Sequence, residues 1–274
     1  MRIDKSANDR LTQGFSRTEK DKAKALHKLS TGKRINTASD DAASMAVARE
    51  FEKQIRAYRN AAENIQAGMS AMSIADGASG SIGDMLQRQR ELAVQSANGA
   101  YGQDERDALD KEFQALSQEI DRISKSTGFN GQKLLDGTGP LADGTGKIQS
   151  GSDAGDTVTL TASDLSLNAL GSGSASLQNP ASALQALGSI DSAMRRVLDN
   201  RATQGGLSNA LEYEVSNNQT QQVNLTQSLS NTEDLDFAQG LTEKVRNDIL
   251  QNAQASALSQ FNNLSKTHIL ALLQ

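Results

Sequence analysis

Residues 51–72 read FEKQIRAYRNAAENIQAGMSAM. Phe51, Ile55, Tyr58, Ala62, Ile65, Met69 and Met72 recur at steps of 4, 3, 4, 3, 4 and 3. Such an a/d heptad lays one apolar stripe along a helix and buries it against partner helices. The pattern runs on, less strictly, through Ile82, Met85, Leu86 and Leu92. The spacing predicts one helix over 43–97, about 80 Å long at ~1.5 Å per residue. A compact domain has little use for a helix of that length. Asn98-Gly99 ends it.

A second seam follows at Leu109, Phe113, Leu116, Ile120 and Ile123, again in steps of 4, 3, 4 and 3. After so short a turn its expected partner is the preceding long helix, run antiparallel. Helical spacing resumes beyond Pro180 at Leu187, Ile190, Met194 and Val197, then Leu207, Leu211 and Val215. Asn218 and Gln222 continue that stripe, where polar groups weaken packing but fix register. Between the helical zones, residues 128–175 are rich in Gly, Ser, Thr and Asp. There Thr157-Val158-Thr159-Leu160-Thr161 alternates as a half-buried strand. Asp136-Gly137 and Asp143-Gly144 supply turns, so this zone reads as small hairpins without a core of their own.

Both ends of the chain carry helices that need a partner. The first has a thin stripe of Ile3, Ala7, Leu11, Phe15, Ala25 and Leu29. The last places an apolar residue at every fourth position: Phe237, Leu241, Val245, Ile249, Ala253, Ala257 and Phe261, widened by Leu258, Ile269 and Leu272. Isolated helices are marginal in water, and a helix apolar along one side seeks cover. The expectation is that the termini pair with each other or with further copies of the chain.

Composition narrows the function. The chain has 274 residues, a formal charge of −5 and no cysteine, which excludes disulfides, thiolate metal sites and a cysteine nucleophile. The longest apolar run, Ile269–Leu273, is far below the ~18 residues of a membrane span, so no membrane insertion is expected. The first thirty residues lack the ~7–15-residue apolar core of a secretory signal. Alone, that implies a cytoplasmic protein or export without a cleaved signal. Mild acidity argues against nucleic-acid binding. The basic segment Met1–Arg34 reads as a solvated, charge-laced helix face, since Phe15 is its one aromatic residue. His27 and His268 lie at opposite ends, and no zinc-protease helix, nucleophile elbow or phosphate loop occurs. Asp40-Asp41 fits helix N-terminal capping better than a cation site. Neither an enzyme nor a cofactor is expected.

Several motifs carry a family resemblance over nearly the whole chain. Leu29-Ser-Thr-Gly-Lys-Arg-Ile-Asn36 with Asp40-Asp41-Ala42-Ala43, and Arg90-Glu-Leu-Ala-Val-Gln-Ser-Ala-Asn-Gly99, resemble the N-terminal signatures of bacterial flagellins. Glu119–Arg122, Phe129-Asn-Gly131, Asp156–Leu160, Asn200-Arg201-Ala202, Asp234–Ala238 and Ile269–Leu273 are similar to later parts of the family. There are departures. An apolar residue is common where Lys33 stands, and Asn231 and Glu233 occupy usual arginine positions.

The resemblance implies a mainly α protein: a long antiparallel coiled-coil helical rod built from both chain ends, with a small β-hairpin region mid-chain. Residues 1–42 and 232–274 would form the two parts of an inner coiled-coil domain. Residues 43–180 would supply rod helices and hairpins, and 181–231 the C-terminal rod helix. Too few residues lie between these arms for large outer domains, so the chain looks like a minimal flagellin. The implied function is a subunit that self-polymerises into the flagellar filament. A hook-filament junction or minor filament protein, or a non-flagellar coiled-coil binding module, is the alternative. The implied partners are further copies of the chain, an export chaperone on the C-terminal tail, the flagellar type III export apparatus, and the filament cap and hook-filament junction proteins. Ile3, Leu11, Phe15, Phe237, Leu241, Val245, Ile249, Phe261, Ile269 and Leu272 would serve polymerisation.

The resemblance also reaches an immune receptor. Flagellins recognised by Toll-like receptor 5 use an arginine, a leucine and a glutamate around the Arg90–Gly99 motif. Residue by residue these are Arg88, Leu92 and Glu112. Arg88 and Leu92 stand four apart, on one helical face. The same three residues also fit a surface ion pair above a core leucine.

Overall fold

The computed structural model describes residues 5–272, with side chains described over 8–263. Six helices and four short strands follow in chain order: α1 (Lys5–Thr31), α2 (Ala42–Ser96), α3 (Gln103–Ser126), β1 (Gly128–Phe129), β2 (Gln132–Lys133), β3 (Lys147–Gln149), β4 (Thr157–Thr159), α4 (Leu167–Leu170), α5 (Pro180–Glu233) and α6 (Phe237–Leu272). The fold is mainly α, with long helices from both ends of the chain and small hairpins between them. Two compact units result, one from residues 1–53 and 224–274, the other from 54–223.

Helix boundaries follow local chemistry. Asp41 starts α2 by accepting a hydrogen bond from the Ser44 amide at 3.0 Å. Asn179 does the same for α5 through the Ser182 amide at 2.8 Å, and Pro180 fills the first helical position, where no amide is needed. Asp236 accepts from the Ala238 and Gln239 amides at 2.9 and 3.2 Å to open α6. Asp40 does not cap. Its carboxylate holds the preceding turn, accepting from the Asn36 and Thr37 amides and the Thr37 hydroxyl. The Thr37 amide first, with the other donors, keeps the Asp40 carboxyl below its ordinary range. Asp41 is lowered by Ser44.

In the unit of residues 54–223, α2 and α5 run antiparallel. Arg90 pairs with Asp191 at 2.9 Å, Asn200 donates to Ser79 at 3.2 Å, and Arg201 pairs with Asp76 at 2.8 Å, so numbering falls in α5 as it rises in α2. The heptad rows meet here. Ile65, Met72, Ile82, Leu86 and Leu92 of α2 and Ile190, Val197 and Leu211 of α5 are buried. α3 folds back on α2, burying Phe113 and Ile120, and Gln89 of α2 donates to the Ser117 hydroxyl at 2.7 Å.

The mid-chain zone adds to this core. β1 and β2 form a hairpin closed by Asn130 and Gly131, whose φ values of 49° and 79° suit the turn that two-residue hairpins favour. β3 and β4 pair antiparallel, with Ile148 opposite Val158. Leu134, Leu135, Leu141, Leu160 and Leu165 are buried with the helix core.

In the other unit, α1 packs along α6. Among the described side chains of these two helices, only Thr18, Ala25 and Gly240 are buried. The chain is stitched at the base of the pair. The Arg34 amide donates to the Glu233 carbonyl at 2.7 Å and the Leu235 amide to the Gly32 carbonyl at 2.9 Å, around a bridge between Lys33 and Asp234.

Replacing Phe113 with Ala is expected to destabilise the 54–223 unit by about 3–5 kcal/mol, the cost of an aromatic-sized cavity. Thermal unfolding of the soluble chain measures it. A shift within experimental scatter would mean that α3 is not integral to the core.

Candidate functional site

No described residues gather into a group of three or more His, Asp or Glu that could hold a metal ion. The features that distinguish this molecule are surfaces. The first lies on α6. Gly240, Lys244, Asp248, Gln251 and Gln254 are buried or half-buried, and this polar face meets α1. Lys22 of α1 pairs with Asp248 and donates to Gln251, both at 2.9 Å. Lys244 joins the same carboxylate at 2.9 Å. Lys22, then Lys244, hold the Asp248 carboxyl below its ordinary value.

The apolar row is therefore turned outward. Phe237, Leu241, Val245 and Ile249 are 63%, 48%, 46% and 62% exposed. Leu250 widens the stripe. Leu11, Phe15 and Phe261 are half-buried. Ile3 and the side chains of Ile269 and Leu272 lie outside the described residues. The row expected to meet a partner thus remains uncovered by α1. The reason is that α1 meets α6 along its other face, through the Lys22–Asp248 pair, the Lys22–Gln251 hydrogen bond and the Leu29 side chain beside Gly240.

The second surface surrounds the Arg90–Gly99 motif. Arg88 of α2 donates to Glu112 of α3 at 2.8 Å and to Glu91 at 3.1 Å, and both Arg88 and Glu112 are exposed. Glu112 first, then Glu91, stabilise the charged guanidinium. Leu92 is fully buried at 0% exposure. It belongs to the α2–α3 core because its heptad position points there, so it is not an exposed apolar anchor beside Arg88.

Sequence reasoning missed one juxtaposition. Lys33 and Glu233 each stand out as unusual residues, 200 positions apart, and the structure pairs them at 2.8 Å. The Glu233 side chain is 9% exposed, and Glu52 approaches Lys33 at 3.9 Å. Their simultaneous departure from the family pattern was the available signal.

Comparison with known proteins agrees with this architecture. The family model for the bacterial flagellin N-terminal helical region matches residues 6–139, and that for the C-terminal helical region matches 187–273. A flagellin of Halalkalibacterium halodurans is 36% identical over 241 residues, 87% of each chain. A flagellin of Listeria monocytogenes is 34% identical over 250 residues, again 87% of each. The crystal structure of Bacillus cereus flagellin superposes with a TM-score of 0.51 at 37% identity, covering 57% of this chain and 88% of that one.

The chain belongs to the bacterial flagellins. It is a structural subunit, not an enzyme, and it polymerises with its own kind into the extracellular flagellar filament used for swimming. No helix among the described residues is long and apolar enough to cross a membrane.

Two outcomes follow from the joints of the terminal unit. Lys33→Ala strands a buried carboxylate and is expected to cost about 1–3 kcal/mol, with Lys33→Leu/Glu233→Gln recovering much of it. Chemical denaturation of the parent chain and these two variants checks the pairing, and equal stability of all three would refute it. Asp248 has a lowered folded-state pKa, so its contribution is present above the ordinary carboxylate value of about 3.9 and is lost as pH falls through the lower folded value. The α1–α6 pair should loosen in that acid window, read as proteolytic release of the terminal helices. Asp248→Asn should abolish that dependence.

Proposed function

We propose that the outward stripe of α6, Phe237, Leu241, Val245 and Ile249, is the surface through which one subunit joins the next in the filament. The exposure of four large apolar side chains in a row on a helix already paired through its other face carries this reading. Monomers rarely leave such a face uncovered. Leu11, Phe15 and Phe261 would complete the contact from the edges of the α1–α6 pair, with Ile3, Ile269 and Leu272 extending it.

The resemblance extends the proposal to the route. The subunit leaves the cell uncleaved through the flagellar type III export apparatus, its C-terminal tail held beforehand by an export chaperone. It then takes its place between the hook-filament junction and filament cap proteins. A Toll-like receptor 5 contact is proposed at the exposed Arg88–Glu112 pair. Leu92 supports that pair from beneath, holding α2 against α3.

Leu241→Asp/Ile249→Asp removes two apolar groups, each worth about 1.5–3 kcal/mol when buried. Growth of purified subunits from short filament seeds, followed by sedimentation, should fall at least tenfold while circular dichroism keeps the helix signal. Normal filaments from this variant would overturn the assembly face. For the receptor, Arg88→Ala/Glu112→Ala should reduce activation by the soluble subunit. Activity equal to the parent chain would remove the pair from the contact.

A further inference from the structure

We propose that Asn98 is a site of spontaneous modification: its side-chain amide is lost through attack by the Gly99 nitrogen, leaving aspartate or isoaspartate in the turn between α2 and α3. The reaction is independent of how subunits assemble.

Asparagine loses its amide most readily before glycine, because no Cβ shields the attacking nitrogen. The chain has two such pairs, Asn98-Gly99 and Asn130-Gly131. All four residues are exposed. The pairs differ in how the surrounding backbone holds them.

Asn98 lies two residues past the end of α2, in the turn that leads to α3. Its Oδ1 accepts from the Ala100 amide at 3.0 Å. An Asx turn of this kind folds the side chain across the next peptide, which is the approach the Gly99 nitrogen needs to reach Cγ. The same donor polarises the side-chain carbonyl. It also meets the negative charge that grows on Oδ1 as the tetrahedral intermediate forms, as an oxyanion-hole donor does. Gly99 presents its nitrogen freely: the amide has no hydrogen-bond partner among the described residues, and a Cβ there would meet nothing within 4 Å. The bond that closes the turn, from the Tyr101 amide to the Asn98 carbonyl, is long at 3.4 Å, so little is lost when the Asn98 backbone rotates to close the ring.

Asn130 is held differently. It sits at the tip of the β1–β2 hairpin with φ 49°, followed by Gly131 at 79°. The strands pair directly behind it, Phe129 opposite Gln132 and Gly128 opposite Lys133. Its Oδ1 has no donor among the described residues. Rotating Asn130 out of the turn unpairs the hairpin, so the fold activates one Asn-Gly pair and restrains the other.

The step uses water and hydroxide alone. Hydroxide takes the Gly99 amide proton, the nitrogen bonds to Asn98 Cγ, and the Cγ–Nδ2 bond breaks, releasing ammonia with a proton from water. Water then opens the cyclic imide. Opening at Cγ gives aspartate; opening at the backbone carbonyl gives isoaspartate, with the main chain rerouted through the side chain. No atom is oxidised or reduced. Each event adds one negative charge just ahead of α3, whose first turn already carries Asp104 and Glu105. A carboxylate before a helix N-terminus is electrostatically favourable, so the aspartate product keeps the fold.

The full-length soluble chain, incubated at mildly alkaline pH both folded and in denaturant, tests this. Mass spectrometry of a digest quantifies each Asn-Gly peptide, and enzymatic methylation of isoaspartate identifies that product. In denaturant the two sites should react at comparable rates. In the folded chain Asn98 should react roughly tenfold faster than Asn130, the rate equivalent of about one hydrogen bond kept instead of broken, and no slower than in denaturant. Gly99→Ala, for which there is room, should lose the reaction at Asn98, leave that at Asn130 unchanged and melt like the parent chain. Asn98 intact in the folded chain, Asn130 reacting as fast as Asn98, or Asn98 slower folded than denatured would each overturn the proposal.

Discussion

Two helices of 55 and 54 residues, α2 and α5, hold each other through one antiparallel seam, and the central unit is organised around it. Neither helix could persist alone at that length in water, because helical stability in proteins comes from packing an apolar face. The seam supplies it with Ile65, Met72, Ile82 and Leu86 against Ile190, Val197 and Leu211. α3 and the mid-chain hairpins then close the open side, contributing Phe113, Ile120 and a set of leucines to the same cluster. Cross-helix charge pairs at Arg90–Asp191 and Arg201–Asp76 flank the seam in solvent, where such pairs add little energy but oppose slippage of register.

Polar groups inside the seam serve a different end. Ser79 of α2 meets Asn200 of α5, Gln89 of α2 meets Ser117 of α3, and Asn218 of α5 donates to the Ser150 carbonyl just after β3, all of them buried. An all-apolar seam of this length would have many nearly equivalent registers, offset by one heptad. A buried amide that finds its partner in only one of them removes that degeneracy. Gln204, buried on α5, has no hydrogen-bond partner among the described residues and so does not fix register in this way.

The rod helices were legible because a heptad is a local signal: spacing alone identifies Ile65 and Met72, Phe113 and Ile120, Val197 and Leu211 as inward-facing. The hairpin at Thr157–Thr159 was legible from alternation, and the ends of helices from Asn98-Gly99 and Pro180. What periodicity cannot reveal is which element covers which face. Arg88 and Leu92 share a helical face at four-residue spacing, but the return of α3 puts one at the surface and the other in the core. Lys33 and Glu233 share no period at all, since only the folding of the chain onto itself brings them to 2.8 Å.

The terminal pair shows how this ambiguity bears on function. From sequence, the apolar row of α6 and the polar row beside it offer α1 two faces, and burial of apolar area would choose the first. The subunit uses the second, through Lys22, Asp248 and Gln251. Had α1 taken the apolar face, the two terminal helices would satisfy each other and leave no apolar row of α6 exposed. Pairing through charges and amides holds α1 and α6 together while keeping Phe237, Leu241, Val245 and Ile249 free. On the proposed assembly role, this division of faces gives one side of α6 to the joint with α1 and leaves an apolar surface whose burial is deferred until a neighbour arrives.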